Sequence, residues 1–130
     1  MIHVMDSSAL LALTRGELGF ETVQELLHCE ECAISSVNMA EVGTKLIDYG
    51  LPPNELLRIV NQFQIDVIDF NTEQAIVSAQ LRPLTRAAGL SLGDRACLAL
   101  TKLMDGIAVT TDQAWQDVRI SADVRVLMIR

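Results

Sequence analysis

Short apolar runs of strand length alternate with segments of helical period along almost the whole chain. Residues 1–5, 32–35, 65–70, 107–110 and 124–129 have strand character. Between them lie helical segments at 9–14, 21–28, 39–49, 55–63, 73–86, 91–104 and 111–115, the 73–86 segment expected to kink or split at Pro83. A strand followed by a helix and another strand returns parallel to the first, because a two-residue hairpin is absent and a crossover is needed. Parallel sheets are covered on both faces. The pattern therefore predicts an α/β fold: three layers, α/β/α, around a mainly parallel sheet of about five strands. At 130 residues, one domain spanning 1–130 is expected, with no repeat or linker inside it.

Half of the residues are hydrophobic but only 4% are aromatic, so the core is built from Leu, Val, Ile and Ala. No apolar run approaches the roughly 20 residues of a membrane helix. Met1-Ile2-His3-Val4 lacks the basic start of a signal peptide, and a cytoplasmic location is expected. The net charge of −7 excludes nucleic-acid binding through bulk positive charge. Any such chemistry must use bound cations or a local arginine cluster, and a basic protein partner is equally well suited. The three cysteines, Cys29, Cys32 and Cys97, are too few and oddly numbered for a disulfide framework. Cys29-Glu30-Glu31-Cys32 falls between a helix end and a strand start, the wrong place for a redox pair. Zinc would need a second pair, and His28 alone stands near.

Leu90-Ser91-Leu92-Gly93-Asp94-Arg95-Ala96-Cys97-Leu98-Ala99-Leu100 is the most informative stretch. Ser91 and Asp94 have the S-x-x-D spacing of a helix N-terminus, and the apolar run to Met104 predicts a buried helix. Asp94 thus stands at the mouth of that helix. Asp6 follows the first strand, Glu41 sits early in the helix after the second, and Asp112 follows the fourth. In a parallel sheet all four carboxylates fall at the carboxyl edge, where open α/β sheets bind their ligands. Each acid alone is explained by helix capping, Asn38 and Glu41 included as an N-x-x-E box. Four together repel unless a cation neutralises them. Oxygen donors without clustered His or Cys point to Mg²⁺ or Mn²⁺, and such a site suits phosphodiester hydrolysis.

Four blocks carry a resemblance: Val4-Met5-Asp6-Ser7-Ser8-Ala9-Leu10-Leu11-Ala12, Ser36-Val37-Asn38-Met39-Ala40-Glu41-Val42, the stretch around Asp94, and Val109-Thr110-Thr111-Asp112-Gln113-Ala114-Trp115. In this order they resemble the PIN-domain ribonucleases, specifically the VapC-type toxins of toxin–antitoxin modules. The resemblance implies a Mg²⁺- or Mn²⁺-dependent endoribonuclease that leaves 5′-phosphate and 3′-hydroxyl ends. It implies that Asp6, Glu41, Asp94 and Asp112 form the acidic quartet. Asp6, Asp94 and Asp112 would bind metal, Glu41 directly or through water, and Ser8, Asn38 and Thr110 would support them. It also implies a homodimer, an RNA substrate and an antitoxin whose C-terminal segment covers the acidic pocket. The chain departs from the pattern in its scarcity of Lys and in the extra acid Asp117, which is expected on a solvated helix face rather than as an aid to a second metal.

Arg82, Arg86 and Arg95 either hold RNA phosphates or pair with neighbouring acids. Trp115 is expected in the core rather than as a base-stacking platform. His3, alone on its strand, is expected to be a structural or exposed side chain rather than a metal ligand. The apolar faces of segments 39–49, 55–63 and 73–84 exceed what one small core needs, which suits a dimer or an amphipathic antitoxin helix. Two other readings use the same residues. One is a PIN-like module that binds RNA or protein without cutting. The other is a phosphotransfer domain with Asp6 as nucleophile, which lacks the second acid or placed Lys it needs: Ser8 occupies the acid's position, and Lys45 and Lys102 fall inside helices.

Overall fold

The computed structural model describes residues 1–118 and 122–130 in full and the backbone alone of residues 119–121. Five strands, β1 (His3–Met5), β2 (Cys32–Ser35), β3 (Asp66–Ile68), β4 (Ile107–Thr110) and β5 (Arg125–Met128), form one sheet in the order β3-β2-β1-β4-β5. Every neighbouring pair is parallel. The chain steps from β1 out to β3, then returns to the other side of β1 for β4 and β5. The direction of winding reverses between β1 and β4, so the carboxyl ends of those two strands flank the switch point.

The helices are α1 (Ser7–Arg15), α2 (Phe20–Cys29), α3 (Ser36–Asp48), α4 (Leu56–Phe63), α5 (Thr72–Gln80), α6 (Arg82–Thr85), α7 (Leu92–Leu103) and α8 (Trp115–Ser121). Strand residues alternate between two cores, as the pleat requires. Val4 of β1 and Ala108 of β4 join Leu90, Leu98 and Trp115 on the face covered by α5 to α8. Met5 and Val109 join Leu10, Val23, Ile34 and Phe63 on the face covered by α1 to α4. Trp115 is fully buried, as expected from the sequence. Among the described residues, no helix is long and apolar enough to cross a membrane.

Helix α7 is buried from Ala96 to Thr101, over more than a full turn, which explains its nearly unbroken apolar run. Burying a side chain such as Leu98 contributes about 1.5–3 kcal/mol. The small residues Ala96, Cys97 and Ala99 let the helix axis approach the sheet. Gly16, at φ 64, ends α1 in the left-handed conformation and its N–H bonds back to the carbonyls of Ala12 and Leu13.

Several boundaries differ from the sequence expectation. The segment at 73–86 is split rather than kinked, one of the two outcomes expected at Pro83, which lies in the first turn of α6 and cannot continue the hydrogen bonding of α5. The helix expected at 111–115 starts only at Trp115, since Asp112 spends its carboxylate on the turn, accepting from the Ala114 N–H at 3.0 Å. Strand β3 is shorter than residues 65–70 and carries exposed Asp66 and Val67, a charged, short edge that discourages pairing with another chain. The cysteines are free, and burial with Glu30 and Glu31 nearby pushes the Cys32 thiol up to about 11, the opposite of a redox thiolate.

Candidate active site

Asp6 lies one residue past β1, and its N–H continues the ladder by donating to the Val109 carbonyl at 2.9 Å. It holds the N-cap position of α1, yet its side chain makes no cap bond there. Instead Oδ2 accepts from the Ser8 hydroxyl at 2.7 Å and the Thr110 hydroxyl at 3.0 Å. Both hydroxyls are themselves held from behind: the Thr111 N–H donates to Ser8 Oγ and the Asp112 N–H donates to Thr110 Oγ1, each at 3.1 Å. Two strand ends thereby fix one carboxylate oxygen. The other, Oδ1, is buried without a hydrogen-bond partner. An ionised oxygen in that state is costly unless a cation or proton reaches it. Burial pushes the Asp6 carboxyl up to about 6; the Ser8 hydroxyl opposes this and the charge of Asp94 adds to it.

Asp94 closes a reciprocal capping box on α7. Ser91 Oγ accepts from the Asp94 N–H at 3.2 Å, and Asp94 Oδ2 accepts from the Ser91 N–H at 2.9 Å. That leaves Oδ1 outside the box. Burial raises the Asp94 carboxyl, the Ser91 bonds lower it, Asp112 raises it and Arg95 lowers it. Asp6 therefore feels Asp94, and Asp94 feels Asp112. Asp112 itself is exposed at the turn after β4.

Glu41 reaches the group from α3. The N-x-x-E box expected there does not form, because Ser35 takes the cap position and its hydroxyl accepts from the Val37 N–H at 3.2 Å. Asn38 is thereby drawn inside the first turn, fully buried. Its amide donates to Glu41 Oε1 and to the Gly93 carbonyl, each at 2.9 Å, joining α3 to the first turn of α7. The Cys97 thiol reports the common location of the group. Burial pushes it well above its ordinary range, and the charges of Asp6, Asp94 and Glu41 act in the same direction.

The arginines divide. Arg95 donates from Nη1 to the Ser78 carbonyl near the end of α5, at 3.1 Å, and Ser78 Oγ donates back to the Arg95 carbonyl at 3.4 Å. It ties α5 to α7, and its charge lowers the Asp94 carboxyl. Arg82 and Arg86 are exposed, and among the described residues no hydrogen bond or ion pair joins them to the acids. Asp117 is exposed in the first turn of α8, a solvated helix position.

Among the described residues, no three His, Cys, Asp or Glu side chains are grouped closely enough to hold a metal ion as they stand. The donor chemistry nonetheless fits a divalent ion: the acids are oxygen donors, Asp6 holds a buried unengaged oxygen, and Asp6 and Asp94 stand at the N-termini of α1 and α7.

The sequence profile of the PIN domain matches residues 4–120. The chain belongs to the PIN domain family. Sequence comparison with curated proteins gives no match. Solved structures share the fold at low identity. The VapBC2 complex of Rickettsia felis, bound to a DNA fragment from its promoter, matches with a TM-score of 0.73 at 16% identity, over 98% of each chain. A toxin–antitoxin complex from Klebsiella pneumoniae gives 0.73 at 21%, again over 98% of each. The DNA-bound VapBC of Salmonella typhimurium gives 0.74 at 17%, over 100% of this chain and 99% of the other. The resemblance read from four sequence blocks thus extends to the whole PIN fold as VapBC complexes display it. Two residues of this PIN domain were missed by sequence reasoning. Cys97 gives no signal beyond its place one turn after Asp94. Gly93 does: a glycine in the first turn of a helix weakens it, and so asks for a reason.

Proposed function

We propose that this PIN domain is a metal-dependent endoribonuclease of the VapC type, a single-domain toxin held inactive by a cognate antitoxin in the cytoplasm. The observation that carries this reading is the buried, unengaged oxygen of Asp6 at the switch point, with Asp94 and Asp112 coupled beside it. A bound Mg²⁺ or Mn²⁺ would supply a hydroxide nucleophile near neutral pH and offset charge on the scissile phosphate. Asp6, Asp94 and Asp112 would hold it, with Glu41 as direct or water-mediated ligand. Ser8 and Thr110 keep Oδ2 of Asp6 fixed, so Oδ1 is presented in one orientation. Asn38 orients Glu41 in the same way. The exposed Arg82 and Arg86 remain the side chains suited to steer RNA phosphate towards the acids.

An antitoxin and a second copy of the chain are the partners this reading calls for. Tyr49, Leu57, Ile76 and Leu84 expose apolar surface on or beside α3, α4, α5 and α6, in keeping with the surplus apolar faces read from sequence. The direct test is incubation of the purified protein with a mixed RNA substrate in Mg²⁺ or Mn²⁺, with and without EDTA, followed by sequencing of the RNA ends. Cleavage with 5′-phosphate and 3′-hydroxyl ends that EDTA abolishes is expected. Cleavage that persists in EDTA contradicts the metal-dependent mechanism. No cleavage with intact Mn²⁺ binding would replace it with a binding module.

A further inference from the structure

Gly93 occupies the second position of α7, and its surroundings explain why no side chain stands there. A Cβ built on this residue would lie 2.5 Å from Glu41 Oε1 and 2.6 Å from Glu41 Cδ, well inside contact distance, with Oε2 as near. The carboxylate of Glu41 thus rests on the bare backbone of the first turn of α7. Asn38 fixes it there by bonding Glu41 Oε1 and the Gly93 carbonyl with one amide group. The φ of Gly93 lies outside the left-handed range, so backbone conformation does not demand glycine. Helix propensity argues against glycine at this position. What remains is space.

We propose that Gly93 is a positioning residue: by lacking a Cβ it admits the Glu41 carboxylate to the head of α7, beside Asp94, and so completes the metal-binding group. This rests on the metal-site reading above and adds a residue to it. The clash falls on the end of a flexible side chain rather than on backbone. A methyl group at position 93 is therefore accommodated by swinging Glu41 away, at little cost to the fold. The consequence is a change of site geometry, with Asn38 losing one of its two acceptors.

The test is a cycle of four proteins: wild type, Gly93→Ala, Glu41→Asp and the double variant. Mn²⁺ binding is followed by calorimetry and thermal unfolding is measured in EDTA. Loss of an orienting contact around a metal ligand typically weakens binding about 10–100-fold, and that range is expected for Gly93→Ala. Its melting temperature in EDTA should be equal to wild type or higher, because alanine suits the helix better. Aspartate at position 41 withdraws the carboxylate by one methylene and clears the methyl group. In that background Gly93→Ala should change Mn²⁺ affinity less than about twofold, the non-additivity that marks a direct pair. Equal affinity of wild type and Gly93→Ala overturns the inference, as does an unchanged loss in the Glu41→Asp background. A fall in melting temperature with no change in affinity overturns it too, since Gly93 is then structural. Wild-type protein that binds no Mn²⁺ overturns the metal-site reading and this role of Gly93 with it. That outcome is distinct, because every other result requires wild-type binding.

Discussion

Two strands of this sheet end in the same way. β1 runs into Val4-Met5-Asp6-Ser7 and β3 into Val67-Ile68-Asp69-Phe70: two apolar residues, an aspartate, and a helix that starts one residue after Asp6 and three after Asp69. Their fates differ. Asp6 is buried, shares its carboxylate with two hydroxyls and stands among other acids. Asp69 is exposed, and the contact made there is by its backbone, whose carbonyl accepts from Gln74 Nε2 at 2.8 Å. The difference comes from sheet order. β1 is central and adjoins the reversal of winding, whereas β3 is an edge with nothing beyond it. An acid after a strand becomes part of a site when its neighbours in the sheet bring further acids and hydroxyls to it.

The sharpest way to break this contrast is to neutralise each aspartate in turn. Asp6→Asn should lower RNA cleavage by about 10³-fold or more, the scale of a lost catalytic metal or electrostatic contact. Asp69→Asn should leave cleavage within about twofold. Initial rates on one RNA substrate at saturating Mg²⁺ measure both. A comparable loss at Asp69 would remove the distinction between central and edge strand ends.

A smaller effect concerns stability. Burial raises the Asp6 carboxyl from 3.8 to about 6, and Asp94 is raised as well. The folded protein therefore holds protons that the unfolded chain has already released, and metal-free stability should fall as pH rises through about 4 to about 6. One pK unit corresponds to 1.36 kcal/mol, so the Asp6 contribution is at most roughly 3 kcal/mol. Urea unfolding in EDTA across that range should show the fall, and Asp6→Asn should flatten it. At neutral pH the metal-free Asp6→Asn protein should then be the more stable of the two, the usual trade between a functional charge and the fold. A flat wild-type profile would mean that Asp6 is not held in a site hostile to its charge.

Much of this was legible in the sequence because it depends on local signals. The alternation of strand and helix gave the parallel sheet, the S-x-x-D spacing gave the head of α7, and a strand-terminal aspartate marked Asp6. What stayed hidden depends on contacts between distant segments. Ser35 displacing Asn38 from the cap position frees Asn38 to join α3 to α7, and residue spacing within 35–41 does not distinguish the two. Arg95 is set against Ser78 by the packing of α5 on α7, which a run of exposed-looking arginines does not disclose. Pro83 was visible as a break, but whether it kinks or splits a helix depends on how α6 packs. Gly93 needed Glu41, 52 positions earlier in the chain, to explain it.

Mn²⁺ titration of the purified protein, wild type beside Asp6→Asn and Asp69→Asn, followed by calorimetry at neutral pH, probes the acidic group most directly. Saturable binding by wild type and by Asp69→Asn, abolished or weakened at least about 100-fold in Asp6→Asn, is the predicted result. Equal binding by all three proteins, or none by wild type, would contradict a divalent-ion site organised around Asp6.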